Sequence, residues 1–285
     1  MHVSVVIPAR DESATIGDVV ARARAALPDA EVIVVDDGST DDTGGRARSQ
    51  GATVVRHPTP RGNGASIKTG ARKAGGDVVV FLDGDGQHDP ADMPRLLERI
   101  DAGYDLVVGA RGAESQANAW RLAANWLYNR LASWIVGQRV LDLTSGFRAA
   151  RTAPFRDFLD LYPNGFSCPT TSTMVFFRAG YSVAYVPVRA APRSGNSHIR
   201  LLRDGGRFLL IIFRIGTLYS PLKIFAPASL LFFALGVGYY AYTFITVGRF
   251  TNLGALLFTS SVLIFLIGLV SEQITQLLYS QRKPE

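Results

Sequence analysis

The sequence contains a single cysteine, Cys168, in 285 residues. That excludes an internal disulfide and any multi-cysteine zinc site, and it suits a reducing compartment or the membrane face adjoining one. Charge is also sparse, at 19% against 47% apolar residues, so a packed core is accessible and disorder is not the default. There is no basic surface of the kind a nucleic-acid binder displays. Residues 1–198 hold 22 Lys/Arg against 21 Asp/Glu, a balance of +1, and residues 199–285 hold 8 against 3, which supplies the remaining +5. Those late basic residues flank strongly apolar segments, which points to a membrane surface and away from nucleic acid. No internal repeat or low-complexity tract is present. Val3–Ile7 stops at Pro8 and lacks a preceding basic region, so it reads as a buried parallel strand and not as a targeting signal.

Comparable apolar runs follow at Glu31–Val35, Thr53–Val55 and Asp77–Leu82, with a further one at Leu106–Val108. Between them lie stretches of helical spacing such as Ile16–Leu27 and Ala65–Ala74. Strand alternating with helix over the first hundred residues predicts βαβ units and a mostly parallel sheet. After residue 198 the character changes. Residues 199–223 set Arg200, Arg203, Arg207 and Arg214 among Leu, Ile and Phe, an amphipathic segment suited to a headgroup region, or else a surface helix of the first domain. Residues 224–247 carry no charge and span roughly 36 Å as a helix, enough to cross a bilayer. A second apolar span covers 253–273, uncharged up to Glu272, and a short tail follows at 274–285. Basic residues lie before the first span and after the second, with Arg249 alone between them. The positive-inside rule then puts the large domain and both termini in the cytoplasm, as a multi-pass protein of the plasma or inner membrane. A buried pair of helices in a soluble protein is the competing explanation of the two runs.

Phe81-Leu82-Asp83-Gly84-Asp85-Gly86-Gln87 is the most specific chemical feature. A buried strand ends at Leu82, and in open α/β sheets ligands bind beyond the carboxyl ends of strands. Asp83 and Asp85, two residues apart, face the same way if the chain stays extended. Two carboxylates suit a hard divalent ion, Mg²⁺ or Mn²⁺, that keeps water and bridges phosphates. An EF-hand fails, because glycine comes too early and no Glu closes the loop. Asp36-Asp37-Gly38-Ser39-Thr40-Asp41 follows a second strand, where Asp37 can meet a ribose hydroxyl or a base N–H, or Ser39 or Thr40 can cap the next helix. Arg61-Gly62-Asn63-Gly64 fails both the P-loop and the dinucleotide patterns, since Ile67 stands where glycine is needed.

The order Val-Ile-Pro-Ala-Arg-Asp-Glu, Asp-Asp-Gly-Ser-Thr-Asp, Arg-Gly-Asn-Gly-Ala, Asp-Gly-Asp-Gly-Gln-His and Val-Val-Gly-Ala-Arg resembles family-2 glycosyltransferases of the GT-A fold. Asp142-Leu143-Thr144-Ser145-Gly146-Phe147-Arg148 and Arg193-Ser194-Gly195-Asn196-Ser197-His198 narrow the resemblance to the dolichol-phosphate mannose synthase and polyprenyl-phosphate glycosyltransferase branch. The resemblance implies a GT-A domain at 1–198 and a membrane hairpin behind it. It implies that Pro8, Ala9, Glu12 and Asp37 hold the nucleoside, with Asp83 shared between nucleotide and metal. Asp83, Asp85 and Gln87 bind the ion and the donor diphosphate. It also implies that Arg111, Arg121 and Asn125 would face the acceptor phosphate and that Arg193, Ser197 and His198 would lie on a loop over the diphosphate. Asp85, Arg111 and Arg121 are expected to carry catalysis. Two positions depart from the pattern: His198 and Asn63 each stand where the branch usually has Lys.

The stretch Phe166–Thr173 offers no carboxylate base. A lipid phosphate needs none, because its oxygen is already ionised near neutral pH. Arg111, Arg121 and Arg148 are available to screen the two anions, although a lone arginine is as readily a surface ion-pair partner. The expected reaction is inverting transfer of one sugar from GDP-mannose or a UDP-sugar to a polyprenyl phosphate. Two rivals stay open: a family-2 enzyme acting on a glycan or glycolipid hydroxyl, and a silent homologue that anchors a partner. The state of assembly is open, with a homo-oligomer slightly favoured and Gly236, Gly238, Gly254 and Gly268 as candidate contacts between subunits.

Overall fold

The computed structural model describes residues 1–112, 119–165, 167–190, 213, 216–217 and 220–280, and at 119–124 and 278–280 the backbone alone. The chain divides into two compact units, Met1–Leu209 and Leu210–Glu285. The expected boundary at 198/199 and most of the amphipathic segment lie outside the described residues.

The first unit is built in the order β1 (Val3–Ala9), α1 (Ile16–Ala26), β2 (Glu31–Asp36), α2 (Thr43–Ser49), β3 (Thr53–Arg56), α3 (Asn63–Lys73) and β4 (Val78–Phe81). It continues with α4 (Met93–Asp101), β5 (Leu106–Arg111), α5 (Ala119–Val136), β6 (Arg148–Arg151), α6 (Thr152–Asp157), α7 (Cys168–Arg178) and β7 (Val183–Val188). The seven strands form one sheet in the order β3-β2-β1-β4-β6-β5-β7. All neighbouring pairs run parallel except those of β6, which is antiparallel to both β4 and β5. Every residue of β1 is buried, as a central strand covered on both faces requires. The edge strand β3 is only half-buried, and its end residues are exposed.

The sheet is covered by helices whose apolar stripes fit it. In α4, Met93, Leu96, Leu97 and Ile100 are buried at helical spacing. The short turn before α4 is capped by Asp89, whose Oδ1 accepts from the Ala91 N–H at 2.9 Å. The α7 helix is buried along its length from Cys168 to Phe177 despite four consecutive hydroxyl residues, Thr170–Thr173. The Cys168 thiol at its start is wholly enclosed, and burial pushes its pKa up to about 12. An aromatic cluster stiffens the same region, with the Phe155 ring 4.7 Å from Phe81 and 4.9 Å from Tyr162.

The second unit contains two long helices, α8 (Pro221–Val247) and α9 (Asn252–Ser280). Both are long and apolar enough to cross a membrane, over Pro221–Val247 and Asn252–Leu277. Gly248 closes α8 in the left-handed region at φ 67°, where its N–H bonds the Phe244 carbonyl at 3.1 Å. The helices meet along small residues seven apart: Ser229, Gly236 and Thr243 on α8, and Gly254, Ser261, Gly268 and Thr275 on α9. Ser229 and Ser261 each donate a hydroxyl hydrogen bond to the other's carbonyl, both at 3.0 Å. Glu272 accepts from the Leu222 N–H at 3.1 Å, which caps α8 from its partner helix where Ser220 provides no side-chain cap. Gly236 faces Phe258, and Gly268 lies against Phe225. Gly236 and Gly268 therefore pack within the hairpin. Gly238 alone of the four has nothing within 4 Å among the described residues.

Candidate functional site

The carboxyl ends of β1, β2 and β4 lie side by side, and the loops leaving them are cross-linked. Pro8 and Ala9 are buried at the end of β1. Just beyond, Asp11 adopts φ 54°, and its carboxylate accepts from the Thr40 N–H at 2.7 Å and the Thr40 hydroxyl at 3.0 Å. The Glu12 N–H donates to Thr43 Oγ1 at 2.9 Å, and the Ser13 N–H to Asp41 Oδ2 at 3.1 Å. Burial raises the Asp41 pKa, but hydrogen bonds from Thr43 and Ser13 outweigh it and bring it to about 2. Ser39 and Thr40 thus tie the two loops together and do not cap α2, whose N-cap position is Asp42.

Asp36 and Asp37 are both buried. Asp36 accepts from the Ser39 N–H at 2.8 Å and from Arg56 Nη1 at 3.1 Å. Asp37 Oδ1 lies 2.7 Å from His57 Nδ1 and accepts from the Arg61 N–H at 2.8 Å, while Oδ2 accepts from the Gly62 N–H at 2.8 Å. Burial raises the Asp37 pKa, but the hydrogen bonds from His57, Arg61 and Gly62 prevail and hold it below the ordinary value. Gly62, at φ 100°, lets the chain turn into α3. The Gly64 and Ala65 N–H groups bond the carbonyls of Gly165 and Asn164 at 3.2 and 3.0 Å. Amides that would cradle a phosphate in a P-loop are here spent within the protein.

Past β4, Asp83, Asp85 and Gln87 are half-buried. Asp85 Oδ1 accepts from the Gln87 N–H at 3.1 Å, so the chain turns at once instead of continuing extended. Thr15 Oγ1 anchors this turn by donating to the Gly84 carbonyl at 2.8 Å. Among the described residues no three His, Cys, Asp or Glu side chains gather into a closed cage. Two carboxylates and an amide oxygen, half-open at a strand end, fit an oxygen-seeking divalent ion that completes its shell with water and phosphate.

A second loop borders Asp83 so closely that a Cβ at Gly146 would overlap its carboxylate. Asp142 shapes this loop: its Oδ1 accepts from the Thr144 and Ser145 N–H groups, both at 3.1 Å. Asp142 also holds Arg111 bidentately, at 2.8 Å to Nε and 3.0 Å to Nη2, and Nη2 reaches Thr144 Oγ1 at 2.6 Å. Burial opposes both charges, yet the pair prevails: the Arg111 pKa is raised and the Asp142 pKa lowered. Arg111, expected to face an acceptor phosphate, thus commits much of its fork to Asp142 while its charge bears on Asp83. His88 is buried and stacked on Phe147 at 5.3 Å. Burial and then the Arg111 charge lower its pKa to about 4, against the pull of Asp85, Asp142 and Asp92.

Arg148 departs from its expected part in screening. It is 2% exposed and donates to the Pro169 carbonyl at 2.8 Å, Ser172 Oγ at 2.6 Å and Thr173 Oγ1 at 3.2 Å, as well as to the Ser145 carbonyl. It braces α7 against the Gly146 loop from within. Asn125 is half-buried on α5; Arg121 lies on the same helix, its side chain outside the described residues, as are Arg193, Ser197 and His198. Sequence reasoning missed His57, the role of Asp142 as the clamp of Arg111, and the close approach of Gly146 to Asp83. The only signal for His57 was its place just past a strand, like Asp37.

A family model described as glycosyl transferase family 2 matches residues 4–160. The chain belongs to glycosyltransferase family 2. A second model, the GtrB C-terminal hairpin, matches residues 220–277 of this glycosyltransferase. Glycosyltransferase AglJ of Haloferax volcanii is 31% identical over 99% of the chain and 96% of its own length. The undecaprenyl-phosphate mannosyltransferase of Micrococcus luteus is 31% identical over 68% of the chain and 85% of its own. Among solved structures, glucosyl-3-phosphoglycerate synthase from Mycobacterium tuberculosis with Mg²⁺ and UDP superposes with a TM-score of 0.60. It is 27% identical, covering 75% of this chain and 77% of that one. The sheet of this family-2 enzyme is the GT-A sheet the motifs implied, and such sites use a divalent ion.

Proposed function

We propose that this enzyme transfers one sugar, with inversion, from a nucleotide-sugar to a polyprenyl phosphate at the cytoplasmic membrane face. The observation that carries the reading is the joining, in one chain, of an Asp83-Gly84-Asp85 strand end on a family-2 domain to two membrane-length helices. Residues 1–198 form the catalytic domain, 199–223 lie at the interface, 224–247 and 253–273 span the bilayer, and 274–285 return to the cytoplasm. The M. luteus relative, named as an undecaprenyl-phosphate mannosyltransferase, supports the acceptor class. The face of α5 supports it physically. Trp126, Leu127 and Trp134 are exposed there, and the Arg130 guanidinium lies 5.7 Å from the Trp126 ring, a composition suited to a headgroup layer.

In this reading Pro8, Ala9, Glu12 and Asp37 receive the nucleoside, and Asp83, Asp85 and Gln87 hold Mg²⁺ or Mn²⁺ with the donor diphosphate. The ion, when bound, supplies positive charge to the leaving diphosphate. An oxygen of the acceptor phosphate attacks the anomeric carbon from the far side, and the bond from that carbon to the diphosphate oxygen breaks. The electron pair leaves with the nucleoside diphosphate. Arg111, fixed by Asp142, adds fixed positive charge beside Asp83, while Arg121 and Asn125 receive the acceptor phosphate. Arg193, Ser197 and His198 close over the diphosphate. No proton has to be removed from the acceptor. A hydroxyl acceptor would need a base, and α7 carries no carboxylate or imidazole.

The test is a donor screen with detergent-solubilised enzyme, polyprenyl phosphate and Mg²⁺ or Mn²⁺, read as label moving to the organic phase. Asp83→Ala and Asp85→Ala should each lower transfer at least about 100-fold without lowering the melting temperature. Near-normal transfer by both variants would sink the metal-site assignment. Donor binding without lipid labelling would retain the site and overturn the acceptor.

A further inference from the structure

The proposed reaction gives Asp37 the nucleoside but leaves His57, which closes against that carboxylate, without a role. An ionised carboxylate has about four acceptor positions. Both positions on Asp37 Oδ1 are filled, by His57 Nδ1 at 2.7 Å and the Arg61 N–H at 2.8 Å, and one on Oδ2 is filled by the Gly62 N–H at 2.8 Å. Among the described residues, one position remains, on Oδ2. The Asp37 side chain is 6% exposed, which leaves room for a single contact from outside.

His57 enforces that count. Its side chain is 5% exposed, and its other ring nitrogen, Nε2, lies 3.0 Å from Thr69 Oγ1 on α3. The carboxylate can only accept, so Nδ1 carries the proton and donates it, and in the neutral ring Nε2 accepts from the Thr69 hydroxyl. Rotation of the ring would break both bonds, so Oδ1 stays occupied.

We infer that His57 is a positioning residue for nucleoside recognition, which by holding Oδ1 of Asp37 leaves one acceptor and so favours a uracil over a guanine base. The inference rests on the nucleotide-sugar reading above. Uracil presents one imide N–H between two carbonyls. Guanine presents a ring N–H beside an exocyclic amino group, a pair of donors that one remaining position cannot satisfy, and an unmatched donor in a closed site weakens binding.

Calorimetric titration of the full-length enzyme in detergent with UDP and with GDP, in the presence of Mn²⁺, tests this. The unmodified enzyme should bind UDP at least about tenfold more tightly than GDP. His57→Ala should lose about tenfold in UDP affinity and most of the preference. His57→Asn, whose amide N–H reaches the Nδ1 position, should restore both. In turnover, His57→Ala should raise the donor KM while kcat stays within about twofold, a split that a general structural defect does not produce. Equal UDP and GDP affinities in the unmodified enzyme, or unchanged affinities in His57→Ala, would overturn the inference. Should His57→Ala fail to fold, Thr69→Val, which frees the ring at Nε2, must raise the donor KM alone, and no rise counts against the inference. Binding of neither nucleotide by the unmodified enzyme would instead overturn the donor reading on which it rests.

Discussion

Asp142 makes a buried bidentate pair with Arg111 and at the same time shapes the loop that meets Asp83. Its substitution should therefore affect stability and transfer together. Asp142→Asn strands a largely buried guanidinium and should cost about 3 kcal/mol in urea unfolding of the detergent-solubilised enzyme. Transfer should fall at least about tenfold through the displaced Gly146 loop. The pH dependence has a definite sign. The Asp142 carboxyl is held below its ordinary value, so its contribution is complete above the unfolded pKa of about 4 and is lost as pH falls through the lower folded value. Unfolding midpoints measured from pH 6 to pH 3 should show less loss for Asp142→Asn than for the unmodified enzyme. An equal slope for both would refute the pairing. The sequence marked Asp83, Asp85 and Asp37 because acids and glycines just past a buried strand are a local pattern. It marked Asp142 only within a motif of resemblance and could not show its pairing with Arg111, 31 residues away, nor mark His57, 20 residues from Asp37, because these partners meet only in the folded sheet.

The first five strands and the two long helices were legible for the same reason: each is a continuous apolar run, evident from its own composition. The expected Asp77–Leu82 run became β4 at Val78–Phe81, and the expected 224–247 span became α8 at Pro221–Val247. Among the elements left unread, two show why most clearly. The strand β6 reads Arg-Ala-Ala-Arg and has no apolar run, yet it fills the sheet between β4 and β5 because Arg148 is satisfied by carbonyls and hydroxyls around α7. The polar α7 is buried through the same tertiary bonds, which no periodicity reveals. The hairpin carries its own prediction. Ser229→Leu should force the seam apart and lower the melting temperature in detergent, and Glu272→Ala should cost about 1 kcal/mol through the lost cap. Gly238→Leu, at a position with nothing within 4 Å among the described residues, should leave it unchanged. Equal effects at Ser229 and Gly238 would contradict the seam.

At the scale of the whole molecule, the orientation in the bilayer can be checked residue by residue. Arg249 sits in the connection between the two spans, and Asp101 is exposed at the end of α4. A membrane-impermeant maleimide applied to intact cells should label Arg249→Cys and leave Asp101→Cys untouched until the membrane is opened. The reverse pattern would place the catalytic domain outside. The enclosure of Cys168 makes such mapping direct. Its thiol is buried and burial pushes its pKa up to about 12, so little thiolate is present at neutral pH and its reaction with maleimide is slow. The natural chain is in effect blank to sulfhydryl chemistry. Any cysteine introduced on its surface reports alone, and paired cysteines on the lipid-facing sides of α8 and α9 can ask whether two copies touch without a background to subtract.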